Sequence, residues 1–327
     1  MEEKNSNQDG RTWFSERKKI AVLVAAVVAI CVAVFALSAY ISSSGGGSKD
    51  EAPVPNNTEE IRMMNPFDEK IGGEEKNPGV LPPEKGAEDV PEKSPFDIPK
   101  AADGARISFV FDDAGQSTEH LSKYIELPFP FAVAVLPGLQ NSKECADAVR
   151  ASGRELILHQ PMQAENLQLD PGPKAVTALM NTREISEIVD SNVDELGGGV
   201  VGINNHEGSL ITANVIKIGA VLEVCKNRGI YFLDSRTTPR TMAHEAALEL
   251  DVRFVERTAP YLDNEIDRGK ILSRIYEGLA YANRHGSALM IGHIDKSVGI
   301  LPELLSEMYP YLVASGYTFV LPSALLQ

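Results

Sequence analysis

The chain has 327 residues, 43% of them hydrophobic, with 46 acidic against 31 basic residues and a formal net charge of −15. That balance argues against a nucleic-acid partner, because phosphate binding needs clustered Lys and Arg. Its three cysteines, Cys31, Cys145 and Cys225, show no C-x-x-C spacing, which argues against a thiolate zinc site and leaves Cys145 with Cys225 as the one disulfide pair open to a folded domain.

The first element is the run Ile20–Ile41, 22 residues without a charge. At about 1.5 Å per residue such a helix spans a hydrocarbon core of about 30 Å. Arg17, Lys18 and Lys19 stand directly before it, and Ser42–Gly47 behind it carry no charge. The positive-inside rule therefore predicts a cytoplasmic N-terminus (1–19), a membrane-spanning helix (20–41) and an extracytoplasmic remainder, in the periplasm or at the cell surface. A cleaved signal peptide is the alternative, but its apolar core normally runs only about 7–15 residues.

Residues 42–104 open with SSSGGGSKDE and continue through Pro53, Pro55, Pro66, Pro78, Pro82, Pro83, Pro91, Pro95 and Pro99, interleaved with acids. Prolines interrupt regular hydrogen bonding, and the few apolar groups do not offset the entropy of ordering. A disordered, partly extended linker is expected.

From 105 to 327 the pattern alternates. Ile107–Phe111, Phe131–Leu136, Leu156–Leu158, Val200–Ile203, Ile230–Leu233, Val252–Val255, Ala288–Ile291 and Thr318–Leu321 read as buried strands. Ser142–Ser152, Arg183–Leu196, Ala213–Arg228, Arg268–Arg284 and Pro302–Ala314 read as helices between them. Strands alternating with helices predict an α/β domain with a parallel sheet and helices packed outside. Seven or eight such units in about 220 residues match the size of one (β/α) barrel.

In a parallel barrel the site lies at the C-terminal strand ends. There the sequence places Asp112–Asp113, His159, Asn204–Asn205–His206, Asp234–Ser235–Arg236 and His293–Ile294–Asp295. One Asp after a strand is often only a helix cap; the convergence of these residues on one rim is what points to a pocket. Asp112 and Asp113 would face opposite sides of a regular pleat, so a turn is needed to bring both inward. Carboxylates and imidazoles around one pocket suit a zinc-type ion with an open position for water. The remaining Asp and His suit general base and general acid. These residues alone imply metal-assisted hydrolysis of an amide or ester.

FVFDDAG at Phe109 resembles the Asp–Asp motif that opens polysaccharide deacetylase domains. GRELILHQPMQ at Gly153 resembles their second motif, and IGHID the late strand motif. With DPGP (Asp170–Pro173), NNHEGS and FLDSR, the stretch from about Ile107 to Leu321 resembles the divergent polysaccharide deacetylase branch more closely still. The resemblance implies a deformed seven- or eight-stranded (β/α) barrel, Asp112 as base, Asp113 and His159 as ligands of a divalent metal such as zinc, and His293 as acid. The ordinary family carries a second His four residues after the first; here that position is Gln163, and an amide oxygen is a poor zinc ligand. His206 is the candidate to complete the metal set. Asn204, Asn205, Asp234 and Arg236 are expected to line the substrate pocket, with Asp295 orienting His293. The expected function is deacetylation of an acetylated cell-envelope glycan. The alternative is a non-catalytic envelope module that binds a glycan or partner protein in the same pocket, which Gln163 and the long linker favour.

Overall fold

The computed structural model describes residues 94–326. The expected N-terminus, membrane helix (20–41) and most of the linker lie outside these residues. No helix among them is long and apolar enough to cross a membrane.

Eight strands form one parallel sheet: β1 (Arg106–Ala114), β2 (Ala132–Val135), β3 (Glu155–Met162), β4 (Val200–Glu207), β5 (Tyr231–Asp234), β6 (Phe254–Glu256), β7 (Ser287–His293) and β8 (Thr318–Phe319). All eight expected strands are present. Their order is β6-β5-β4-β3-β2-β1-β7, and β8 pairs only with the first two residues of β1. The sheet curls but does not close, because β6 and β7 do not pair. The segment after β6 bridges them: Thr258 N donates to Leu289 O, Leu289 N to Thr258 Oγ1, and Leu262 N to Ile291 O. Those bonds occupy an edge that would otherwise stay open. The barrel is therefore a seven-stranded, open one, with a short eighth strand off the path.

Strand alternation divides the apolar residues into two layers. Ile107, Phe109 and Phe111 of β1 point outward and pack with helix residues such as Val149, Ile185, Ile218 and Leu304. Val110, Ala132, Ala134, Ile157, Tyr231, Leu233, Val255, Leu289 and Ile291 form a separate inner cluster, against which Leu325 and Leu326 pack at the C-terminus. Tyr231 crosses this interior and donates from its hydroxyl to Glu155 Oε2 at 2.9 Å. Its ring needs Gly202: a Cβ there would lie 2.7 Å from it.

Nine helices occur among the described residues: α1 (Thr118–Ile125), α2 (Ser142–Ala151), α3 (Thr182–Leu196), α4 (Ser209–Thr212), α5 (Val215–Arg228), α6 (Ala243–Leu250), α7 (Arg268–His285), α8 (Ile294–Ser297) and α9 (Leu301–Ala314). The five expected ones are α2, α3, α5, α7 and α9. α3 begins in a capping box between Asn181 and Glu184. The unexpected α4 and α8 are four residues each, too short for a hydrophobic period to show. Both leave strand ends at the site.

Residues 94–104, assigned to the linker from their composition, lie against the domain. Phe96 meets Tyr311 edge to face, Asp97 N donates to Tyr276 Oη, and Ala102 N donates to Asn283 Oδ1. Cys145 and Cys225 are buried and free, so the disulfide is not formed.

Candidate active site

The pleat that buries Val110, Ile157, Leu289 and Ile291 inside the barrel carries forward to the strand ends. Asp112, His159, Asn204, His206 and His293 share that inward phase. In register, Asp112 lies beside His293 and His159 beside Asn204. Asp113 breaks the pleat. Its φ is +67°, and the β1–β2 register slips between Phe111 and Ala114. Asp tolerates this left-handed conformation better than most residues. The expected turn is therefore present, and both carboxylates line the cleft.

Asp113 Oδ1 lies 3.1 Å from His159 Nε2 and 3.0 Å from His206 Nδ1, and the two imidazole nitrogens are 3.1 Å apart. Among the described residues these three form a group able to hold a metal ion. Ligand atoms on one face of a tetrahedral zinc site, each at about 2.0–2.1 Å, would stand roughly 3.3 Å apart, close to this triangle. Chemistry points the same way. Asn204 Nδ2 donates to Asp112 Oδ1 at 2.9 Å, so Asn204 Oδ1 faces His159 Nδ1 at 2.7 Å and accepts its proton. That fixes the tautomer with the Nε2 lone pair aimed at Asp113 and His206. A carboxylate and imidazole lone pairs pressed together need a cation or a proton between them, so the residues fit a divalent metal.

Electrostatics differ across the site. Burial pushes the Asp112 carboxyl above its usual range, against the opposing pull of His159 and His293. Burial also acts upward on Asp113, but the imidazoles of His159 and His206, which can donate to it only when a proton rather than an ion lies between them, outweigh burial and hold that carboxyl well below the usual range. Burial disfavours a charged His159, yet Asp112 and Asp113 overcome it and raise its pKa.

His293 faces the cleft from the end of β7. Its Nδ1 donates to Asp263 Oδ1 at 2.7 Å and its backbone N–H to Asp263 Oδ2 at 2.7 Å. Ser297 Oγ donates to the same Oδ2 at 2.6 Å, and Tyr124 Oη lies 3.2 Å from that hydroxyl. Asp263 is fully buried. Asp295, expected to orient His293, instead accepts from His120 Nδ1 at 2.8 Å and lines an adjoining lobe of the cleft. Sequence reasoning missed Asp263, which lies in the bridging segment between β6 and α7 and follows no strand.

The other expected pocket residues divide. Asn205 lines the cleft, and its Nδ2 donates to Glu207 O at 2.8 Å. Asn204 is fully buried behind Asp112 and His159 rather than on the wall. Asp234 points out of the barrel, where it accepts from Arg236 N and Thr241 Oγ1, both at 2.7 Å. Arg236 pairs with Glu256 at 3.0 Å. Neither lines the cleft, because the outward phase of β5 carries Asp234 away. Gln163 also faces elsewhere: its Oε1 accepts from Ala178 N at 2.8 Å. The cleft, about 320 Å³, is completed by Asn166, Leu169, Thr237, Tyr261, Asn264 and Lys296.

A family profile described as divergent polysaccharide deacetylase matches residues 109–326. The chain is 30% identical over 207 residues to the uncharacterized protein YibQ of Escherichia coli (strain K12), covering 63% of this chain and 64% of that one. It is 25% identical over 190 residues to an uncharacterized protein of Haemophilus influenzae, covering 58% of this chain and 66% of the other. The match thus spans just under two thirds of the length of these curated relatives. The crystal structure of an uncharacterized protein from Agrobacterium tumefaciens C58 is similar in fold, with a TM-score of 0.59 at 20% identity, covering 70% of this chain and 91% of that one.

Proposed function

Because the chain belongs to the divergent polysaccharide deacetylase family, we propose that it is a metal-dependent hydrolase that removes acetyl groups from a glycan of the cell envelope. The observation that carries this reading is the Asp113–His159–His206 triangle with Asp112 and His293 on the same cleft. A zinc-type ion held by those three residues would supply Lewis acidity to an acetamide carbonyl and lower the pKa of water.

The chain's own residues then have separable tasks. Asp112 takes the proton of the attacking water. Its Oδ1 is tied to Asn204, and its Oδ2 lies 3.8 Å from His159 Nε2. His293 hands a proton from Nε2 to the departing amine, since Nδ1 is committed to Asp263. Asn264 and Lys296 are cleft-lining groups left to hold the sugar. Gln163 was one of two reasons to expect binding without catalysis, the long linker being the other; its side chain caps Ala178 N and subtracts nothing from the triangle. Anchoring through residues 20–41, with the domain outside the cytoplasmic membrane, is part of this proposal and rests on Arg17–Lys19 and the uncharged run.

The test is acetate release from N-acetylated glycan oligomers by the zinc-loaded full chain, beside its His159→Ala variant. Release by the wild type alone supports the reading. No release from any acetylated glycan by metal-loaded wild type would leave a binding module instead.

A further inference from the structure

Nine large apolar residues stand exposed among the described ones, and they are unevenly placed. Leu167 and Leu169 lie in the loop that leaves β3, and Leu179 lies two residues before the N-cap of α3. Val215 and Ile216 open α5, and Ile266 directly precedes the N-cap of α7. Helices between parallel strands run back against them, so all six sit at the C-terminal strand ends, the end that carries the cleft. Val201 at the start of β4, Leu248 near the end of α6 and Val313 in the last turn of α9 occupy the opposite end. One exposed Leu needs no explanation; six of nine around one mouth do.

Local backbone holds these side chains outward. Gln163 N donates to Val176 O at 2.9 Å, Leu210 N donates to Gln163 O at 3.2 Å, and Lys217 Nζ reaches Met180 O. Those bonds stitch the β3 loop to α4 and the start of α5, and leave Leu167 71%, Leu179 97% and Ile216 66% exposed. Leu169 borders the cleft directly, and Ile266 follows Asn264, which borders it from the bridging segment. Apolar groups therefore flank the mouth from two different parts of the chain.

Three observations select a bilayer as the occupant. All six residues are aliphatic and project from loops and first turns, which suits insertion among acyl chains, whereas protein interfaces concentrate Tyr, Trp, Phe, Met and Arg. Charge agrees. α5 and α7 have no acid in their first turn, where the helix dipole favours one, and carry Lys217, Arg268 and Lys270 there instead. Arg268 meets Glu307 at 2.5 Å and Lys270 lies 3.9 Å from Glu265, but both pairs are exposed and of little strength. In a chain of net charge −15, cations set beside aliphatic groups match lipid phosphates. Finally, the uncharged run 20–41 precedes the domain, and residues 42–93 give a reach of up to about 180 Å at full extension. Tethering raises effective concentration, so weak insertion suffices.

Resting on the anchoring reading above, we propose that the cleft end of the domain is a membrane-contacting face. Its six aliphatic side chains enter the outer acyl layer, Lys217, Arg268 and Lys270 meet the headgroups, and the cleft opens at the bilayer surface. The experiment uses the full chain in vesicles of phosphatidylethanolamine and phosphatidylglycerol, with Trp13→Phe removing the one native Trp. Ile216→Trp reports on the face and Val313→Trp on the opposite end, each with ordinary and with brominated acyl chains. Bromine should quench Ile216→Trp at least twofold and leave Val313→Trp unchanged. Leu167→Ser with Leu179→Ser should at least halve that quenching, with far-UV circular dichroism unaltered. Equal quenching at both positions, or none at either, overturns the face. Emission that shifts with protein density but ignores bromine shows a second copy there and overturns it too. Flotation reports the anchor separately: a chain that floats without selective quenching loses the face and keeps the anchor, and one that does not float loses both. Acetate release tests the hydrolase alone.

Discussion

Asn204 holds Asp112 and His159 with one amide: Nδ2 donates to Asp112 Oδ1 at 2.9 Å, and Oδ1 accepts from His159 Nδ1 at 2.7 Å. Reversing the amide would set two acceptors against each other at Asp112, so the orientation is dictated. Partners behind a metal-binding His commonly tune affinity about 10–100-fold. Asn204→Leu should weaken zinc binding by that factor in a competition titration, while zinc-free protein keeps its far-UV circular dichroism. Unchanged zinc affinity would reduce Asn204 to packing.

His206→Ala should lower bound zinc from about one ion per chain to near none, because two protein ligands are too few. Adding Gln163→His to that variant should not restore the ion, since residue 163 faces Ala178 N. Recovery of metal content in the double variant would place residue 163 at the site after all. Elemental analysis of dialysed protein decides between them.

Asp263→Asn should cut turnover about 10²–10⁴-fold with zinc content unchanged, because an amide in place of the carboxylate no longer enforces the Nδ1–H tautomer of His293. Asp263→Ala should also destabilise the domain by about 1–3 kcal/mol, leaving the buried backbone N–H and the Nδ1–H of His293 without their acceptor. Although burial pushes the Asp263 carboxyl up, the bonds from His293 and Ser297 hold it below the usual range. Its stabilisation is thus fully present above the unfolded pKa near 3.8 and lost as pH falls through the lower folded value. Melting curves of wild type and Asp263→Asn should therefore converge in acid; a constant gap contradicts this.

Glu155 has the opposite sign. Burial raises its pKa above 4.5 despite hydrogen bonds with Ser323 and Tyr231. A carboxyl raised in the folded state favours folding below the unfolded pKa, and that contribution is lost as pH rises through the folded value. Glu155→Gln keeps an acceptor for Tyr231 without the charge. Its melting temperature relative to wild type should climb as pH goes from 4 to 8, and a flat difference would show that Glu155 is effectively solvated.

A reporter fused after Gln327 should be active only outside the cytoplasm, and the full chain should fractionate with membranes. Cytoplasmic reporter activity would refute the orientation read from Arg17–Lys19.

Much of the architecture was legible because burial writes itself into the chain. Apolar runs such as Ile107–Phe111 and Ala288–Ile291 marked every strand, and the polar residues behind them fell on one rim because all strands run the same way. Position placed Asp113, His159 and His206 on one rim, the family resemblance implied the first two as metal ligands with His206 as the candidate third, and the structure brings the three within 3.1 Å of one another. Other parts depended on facts that no local window contains. Pleat phase turned Asp234 away from the cleft, while Asn204, inward like His206, ended fully buried behind Asp112 and His159, although both follow apolar runs in the same manner. Which carboxylate reaches His293 was settled by how the segment after β6 bridges the open side of the barrel, and this delivered Asp263 while leaving Asp295 to His120. Sequence determines which residues are buried and where strands end, because those follow from short-range alternation. Only the tertiary structure decides which neighbours meet, because that depends on pleat phase, a single positive φ at Asp113 and the closure between β6 and β7.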